Sequence, residues 1–477
     1  MQQVVLEKEQ VSKASRLLVR VLRGERYTPY SLALKLKASV LLESASFQRG
    51  RARWSLLLVK EAGRLIQQGR QIFLDRHGKR FRLKGNYRDI LDVAAYFANQ
   101  HADANMESPL PAGGVGFIGY ECAGYFDTIR LTSKTDPFGL PDAAFILGHV
   151  FIIFDHFTDS IILLGLNYKE LVCDLSKALD EIEARLNDLD FNFMTPERPL
   201  MPATVISGHD KSEEYMRGVE KVREEIIRGN LLQGVLSRRL ILQTELKALE
   251  GYRHLRSFNP SPYMFYLNFD DYELFGASPE VHLKVQGRTA LIRPLAGTRP
   301  RGQDRLKEEE LERELLADEK ERAEHLMLVD LARNDLGRVC EAGSVKPTEL
   351  MVIEKYSHVM HIVSEVVGTL RPDCTGIDAL RASFPAGTVS GAPKIRAIEV
   401  LDRLEKDKRS FYAGAVGYIA PGGELDTCIV IRSALKKDDK IVLQAGAGVV
   451  YDSLPHREYQ ETENKLKALC QAVGLEV

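Results

Sequence analysis

Apolar residues recur along the chain with two different periods, and the changes of period mark the predicted elements. The runs HVFIIFDH (149–156) and SIILLGLNY (160–168) are nearly continuous and rich in β-branched and aromatic residues, and the FTD between them predicts a hairpin or meander. Farther on, Tyr215, Val219, Val222 and Ile226 return at helical spacing. A series of predicted strands follows, RLILQTEL, YMFYLNF, VHLKV and TALIRPL, the last two joined by a QGR hairpin turn. Then come a long helix from about Leu306 to Ala332, another after Pro393, a strand over KIVLQAGAGVV, and a closing helix from Glu458 to about Ala472. Strands arrive in neighbouring pairs with helices inserted between groups. That order predicts an α+β fold of layered antiparallel sheets with helices and argues against a doubly wound parallel sheet.

Composition sharpens this picture only in part. The 477 residues, 44% hydrophobic and 28% charged, suit a globular chain with a large core and about two or three domains. Three prolines in DFNFMTPERPLMPATV discourage regular structure, so a boundary is expected near Met201, giving regions 1–200 and 201–477. A net charge of −2 offers no long-range attraction to nucleic acid or to an anionic membrane, and neither is expected as a partner. Six scattered cysteines without metal-ligand spacing fit a reducing cytoplasm. The first residues, MQQVVLEKEQVSKASRLLVRVLRG, never reach the apolar length that export or membrane anchoring requires. No dinucleotide-binding glycine fingerprint or phosphate-binding loop is present.

Candidate chemistry gathers on two helices. Glu321, Glu324, His325 and Leu328 share one face of the first, as either a solvated charged surface or half of a metal site. On the closing helix Glu458, Glu461 and Lys465 project from one side, leaving Tyr459, Thr462, Leu466 and Leu469 for a core. Two Glu pairs at this spacing would give a hard divalent cation such as Mg²⁺ an all-oxygen shell; the alternative is two unrelated surface helices. In QAGAGVV, Gly446 and Gly448 sit in a strand, where glycine implies a close neighbour. FPAGTVSGAPK offers backbone N–H groups, two hydroxyls and Lys394 where a helix opens, a setting that suits a carboxylate. With Arg432, these describe a pocket for a small polyanion held partly through a metal.

In one unbroken order from about Ser207 to Ala472, GASPE, RPLAGTRPRG, DEKERAEHLMLVDLARNDLGRV, HVMHIVSEVVG, FPAGTVSGAPKIRAIE, YAGAVGYI, IRSAL, QAGAGVV and EYQETENK resemble the chorismate-utilising enzymes. Before Met201 the resemblance rests on LLES, GGVGFIGYE, PDAAF and FDH. It implies that Glu324 and Glu461 are direct Mg²⁺ ligands, with Glu321 and Glu458 close by and acting through water. It also implies a chorismate site lined by Gly297, Thr298, Thr388, Tyr412, Arg432, Gly446, Ala447, Gly448 and Lys465. Glu280 in SPE matches a general acid and His361 in VMHI a catalytic histidine, with Gln233 and Thr388 beside the reacting ring. His361 and Tyr412 would otherwise be core residues; Arg299 and Arg301 read as loop and ion-pair residues.

Two positions separate branches of the family. Where a branch that adds water carries a lysine base, this chain has Gln233, which cannot take a proton at neutral pH. Where the para-amino branch often carries an attacking lysine, it has Ala296. The resemblance therefore implies attack of ammonia on chorismate, loss of the ring hydroxyl and release of pyruvate to leave anthranilate, with aminodeoxychorismate formation as the alternative. Ammonia would come from a separate glutamine amidotransferase subunit. SVLLESA and NPSPYMFY resemble the two halves of a site for L-tryptophan as inhibitor, with Leu42, Glu43, Ser44, Pro262, Tyr263 and Met264 around it; the plainer reading is a strand edge and a proline-rich turn.

Overall fold

The computed structural model describes residues 15–46, 50–188, 200–208, 211–356 and 359–475. Among them every ladder between named strands is antiparallel, and helices cover the sheets, in agreement with the α+β expectation. The two apolar runs near residue 150 form Ala143–Asp155 and Ser160–Leu166, paired from Asp155↔Ser160 onward. All residues of Ala143–Asp155 are buried, because strands flank it on both edges and helices pack on it. A strand covered in this way reads as a continuous apolar run rather than as alternation.

Two expected elements are broken, each at a residue with its own local chemistry. The helix from about Leu306 to Ala332 is two helices, Arg305–Ala317 and Glu319–Gly337. Asp318 between them adopts an extended conformation, and its carboxylate accepts from the N–H groups of Lys320 and Glu321. An aspartate gains more from capping a new helix than from continuing an old one. The run TALIRPL is likewise divided at Pro294 into Thr289–Ile292 and Leu295–Pro300, which pair with successive parts of Val359–Thr369. In the second ladder the register shifts between Ala296 and Thr298, where Gly297 takes a φ of 67°.

The connection before Met201 lies largely outside the described residues. On either side of it, strands from the two regions pair with each other: Val40–Glu43 joins Tyr263–Asn268, and Val115–Ile118 joins Ala415–Ile419. Arg381 also forks onto buried Asp89, at 2.7 and 2.8 Å. No helix among the described residues is long and apolar enough to cross a membrane.

Candidate active site

One cavity of about 540 Å³ lies between the strands Gln233–Gln243, Leu295–Pro300 and Lys440–Val449 and the helices Glu319–Gly337 and Pro455–Ala472. It gathers Gln233, Glu280, Gly297, Thr298, His361, Thr388, Tyr412, Arg432, Gly446, Gly448 and Lys465, together with Glu321, Glu324, Glu458 and Glu461. The glycines permit the approach. A methyl on Gly448 would stand 2.7 Å from Gln233 Nε2, and one on Gly446 would stand 2.9 Å from the Leu236 carbonyl. Ala447 does not belong with them: strand alternation turns it from the cavity, and it is wholly buried outside the lining.

The carboxylates face one another across the cavity, each with a nearby donor. Glu324 Oε1 accepts from Gln233 Nε2 at 2.7 Å, Glu321 from Arg299 Nη1 at 3.2 Å, and Glu461 pairs with Lys465 Nζ at 2.5 Å. Burial pushes the pKa values of Glu321, Glu324 and Glu458 upward, and the charge of Glu461 pushes each further. Arg299 and Arg301 are ion-paired, the latter to Glu308.

His325 and Lys394 are placed differently from the sequence reading. His325 is fully buried, with Nε2 2.6 Å from Ser364 Oγ, because its side of the helix faces the core rather than the cavity. Lys394 is held by Asp335 at 2.7 Å and donates to the Ser383 carbonyl at 2.8 Å, so it does not present its charge to a substrate carboxylate. Arg432 is the arginine that does face the cavity. It lines the cavity with φ at 50° and has no carboxylate partner among the described residues.

Glu280 and His361 are both buried at the cavity, one a carboxyl and the other a ring with a fixed tautomer. Glu280 is 5% exposed, and burial pushes its pKa up to about 8, against the opposing pull of Thr388, the Leu295 N–H and Lys465. It is therefore a carboxylic acid at neutral pH. His361 Nδ1 lies 2.9 Å from the Gly297 carbonyl, which can only accept, so Nδ1 carries the proton and Nε2 the lone pair. Burial lowers its pKa to about 4, leaving the ring neutral. The bulge at Gly297 directs that carbonyl to the ring, and Thr298 Oγ1 stands 3.1 Å from the same nitrogen.

Sequence reasoning passed over Arg409, which lies outside the cavity and ties its walls together. Its guanidinium forks onto Glu405 and donates to the Val389 and Val235 carbonyls at 2.7 and 2.6 Å, next to Thr388 and near Gln233. In the sequence only the four-residue spacing from Glu405 marks it, and that reads as an ordinary ion pair. Asn464, which also lines the cavity, was within reach: it is three residues after Glu461 and so shares its helix face.

The two segments expected to hold tryptophan lie edge to edge, with Met264 opposite Glu43 and Phe265 opposite Leu42. Leu42, Ser44 and Pro262 are half-buried. Glu43 already accepts from Tyr252 Oη at 2.7 Å and from Arg256, and Tyr263 Oη donates to Asp426 at 2.7 Å. Met264 is 1% exposed and belongs to the core.

A buried carboxyl, a histidine, the cations Arg432 and Lys465 and four further carboxylates thus meet around one cavity. The sequence profile described as chorismate binding enzyme matches residues 43–471, and the chain belongs to that family. Within it, the chain is 58% identical to anthranilate synthase component 1 of Spirochaeta aurantia over 462 residues, 96% of each chain. The crystal structure of anthranilate synthase component I from Streptococcus pneumoniae TIGR4 superposes with a TM-score of 0.79 at 33% identity, covering 96% of this chain and 100% of that one. These likenesses put it in the anthranilate synthase component 1 branch. A menaquinone-specific isochorismate synthase from Escherichia coli shares the fold, with a TM-score of 0.71 at 19% identity over 96% of this chain and 95% of that one.

Proposed function

We propose that the cavity converts chorismate and ammonia into anthranilate and pyruvate, making the chain a lyase. The observation that carries this reading is the meeting, in one cavity, of the buried Glu280 carboxyl, a His361 whose Nδ1 is fixed on the Gly297 carbonyl, and an Arg432 without a carboxylate partner among the described residues. Arg432 and Lys465 hold the substrate carboxylates. Ammonia bonds to C2, beside the carboxylate-bearing carbon, the two ring double bonds shift, and the C4–O bond breaks as Glu280 gives its proton to the departing hydroxyl; His361 Nε2 is the neutral base available for the C2 proton as pyruvate leaves and the ring becomes aromatic. Tyr412 and the backbone at Gly446 and Gly448 leave room for a flat ring.

Glu321, Glu324, Glu458 and Glu461 fit Mg²⁺ by chemistry, since all four offer hard oxygen donors on helices facing one cavity. As they stand they turn toward Gln233, Arg299 and Lys465, and among the described residues no three acidic, histidine or cysteine side chains converge on one point. Binding a metal therefore means exchanging those partners. Bound Mg²⁺ would supply positive charge to a substrate carboxylate.

The relatives' designation as component 1 implies a second component, which in this reading is a glutamine amidotransferase delivering ammonia. Six unpaired cysteines suit a cytoplasmic setting. Product analysis with chorismate, Mg²⁺ and ammonium tests the chemistry. Anthranilate is expected; a para-amino product would assign the chain to the aminodeoxychorismate branch. Because Gln233 cannot serve as a base, omitting ammonia should yield no isochorismate or salicylate, and steady accumulation of either would overturn the reading.

Tryptophan control belongs to the same proposal. The half-buried Leu42, Ser44 and Pro262 at the paired strand edges offer an apolar wall and free polar groups for an amino acid. Tryptophan should inhibit, and Ser44→Ala should raise the concentration needed about tenfold, roughly the loss of one hydrogen bond in a partly buried site, with uninhibited turnover unchanged. Inhibition curves that superimpose for wild type and variant would remove Ser44 from the site. Met264→Thr is a poorer probe, because a hydroxyl placed in the core also destabilises the fold.

A further inference from the structure

Glu280 and Thr388 form a wall with a cavity on each side. In front is the large cavity already described; behind is a second of about 20 Å³, lined also by His282, Asp335 and Ser383. That volume has room for one water molecule, for which about 10–15 Å³ suffices. Its wall is largely apolar but includes a polar residue with an unpartnered atom. His282 is 2% exposed; its Nε2 lies 3.3 Å from Ser383 Oγ, while its Nδ1 is buried with no hydrogen-bond partner among the described residues. Thr388 Oγ1 turns to the Glu280 carboxyl, and its hydroxyl oxygen keeps a lone pair free to accept. An unpartnered histidine nitrogen, a threonine oxygen free to accept and a carboxyl, on residues that line a one-water space, can give an ordered water the two to four hydrogen bonds it needs.

We propose that this rear cavity is a water site through which Glu280 recovers its proton, with His282 as the residue that positions the water. The inference rests on Glu280 being the acid. In each turnover the Glu280 O–H bond breaks, its proton goes to the departing hydroxide to make water, and a carboxylate remains. The rear water then gives a proton to that carboxylate and takes one that enters from solvent past Asp335, which lines the same cavity and is 8% exposed. The acid is restored from behind while substrate or product still fills the front. His282 reaches this position at an irregularity in the ladder: the register of Val281–Gln286 against Leu425–Ile429 shifts between Val281 and Leu283, and His282 is buried there beside the equally buried Leu283.

Asparagine places a polar atom near the position of histidine Nδ1, and glutamine near Nε2, so the two variants separate the water contact from the Ser383 contact. With the full-length protein, Mg²⁺ and ammonium, His282→Leu should lower kcat about tenfold or more with KM for chorismate unchanged, as befits a group acting on proton transfer. His282→Asn should restore most of kcat, and His282→Gln should not; the solvent deuterium effect on kcat should be larger in the Leu and Gln variants than in wild type. A high-resolution wild-type crystal structure should show a water within hydrogen-bond distance of Glu280 and His282 Nδ1. Full kcat in His282→Leu, rescue by Gln rather than Asn, or a rear cavity without a water would overturn the proposal. Should the Leu variant not fold, the Asn and Gln pair still decides. A Glu280→Gln enzyme of full activity would instead remove the acid itself, a separate failure.

Discussion

Glu280→Gln should lower kcat for anthranilate formation by about 10²–10⁴-fold, the usual range for a positioned acid, while chorismate still binds. Glutamine keeps the shape and the hydrogen-bonding oxygen but has no proton to give to a leaving hydroxide. The wild-type enzyme should meet the same limit at high pH. Burial holds the Glu280 pKa at about 8, so activity should fall as pH rises through that value. Stability moves with the same group. Its pKa is raised from 4.5, so the folded state favours the protonated form, and the penalty for ionising it grows as pH rises from about 4.5 to about 8. The variant has nothing to ionise, and its Tm should gain on that of the wild type across this window. Equal kcat in variant and wild type would exclude Glu280 as the acid.

Glu324→Gln and Glu461→Gln should each raise the Mg²⁺ concentration needed for half-maximal activity at least about a hundredfold, the upper end of what even indirect supports of a metal contribute. The fold should survive, for a reason the sequence alone did not give. These helix faces are not simply solvated: Glu324 is half-buried, its pKa is raised by burial, and Glu321 and Glu461 repel it. Removing one charge relieves that repulsion. Metal-free variants should therefore melt at or above the wild-type Tm, while the rise in Tm that Mg²⁺ gives the wild type should disappear. A variant with an unchanged Mg²⁺ requirement would take its residue out of the metal site.

Much of the cavity was legible because it is built from short regular spacings. The Glu pairs three residues apart and the alternating glycines each need only one element's geometry to share a surface. What went astray depended on the rotation of an element against its neighbours. Glu324 and His325 are adjacent on one helix, yet one lines the cavity and the other is buried against Ser364. Lys394 follows the substrate-facing loop but turns to Asp335, and Ala447 lies between two lining glycines but points away. Arg409 was invisible for the opposite reason: its pairing with Glu405 four residues away looks like any surface ion pair, and the contacts that tie the cavity walls are to carbonyls far away in the chain. In the fold, the long helix and the TALIRPL strand were read through Asp318 and Pro294, where capping and proline geometry outweighed apolar periodicity.

The pairing of Val40–Glu43 with Tyr263–Asn268, and of Val115–Ile118 with Ala415–Ile419, also governs how the protein is made. The early strands leave the ribosome long before their partners exist. Until residue 419 has emerged, the nascent chain carries sheet edges whose N–H and C=O groups have no native mate, an open invitation to pairing with other chains. Val40–Glu43 meets its later partner by residue 268, but Val115–Ile118 must wait for Ala415–Ile419, so that edge stays open through most of synthesis.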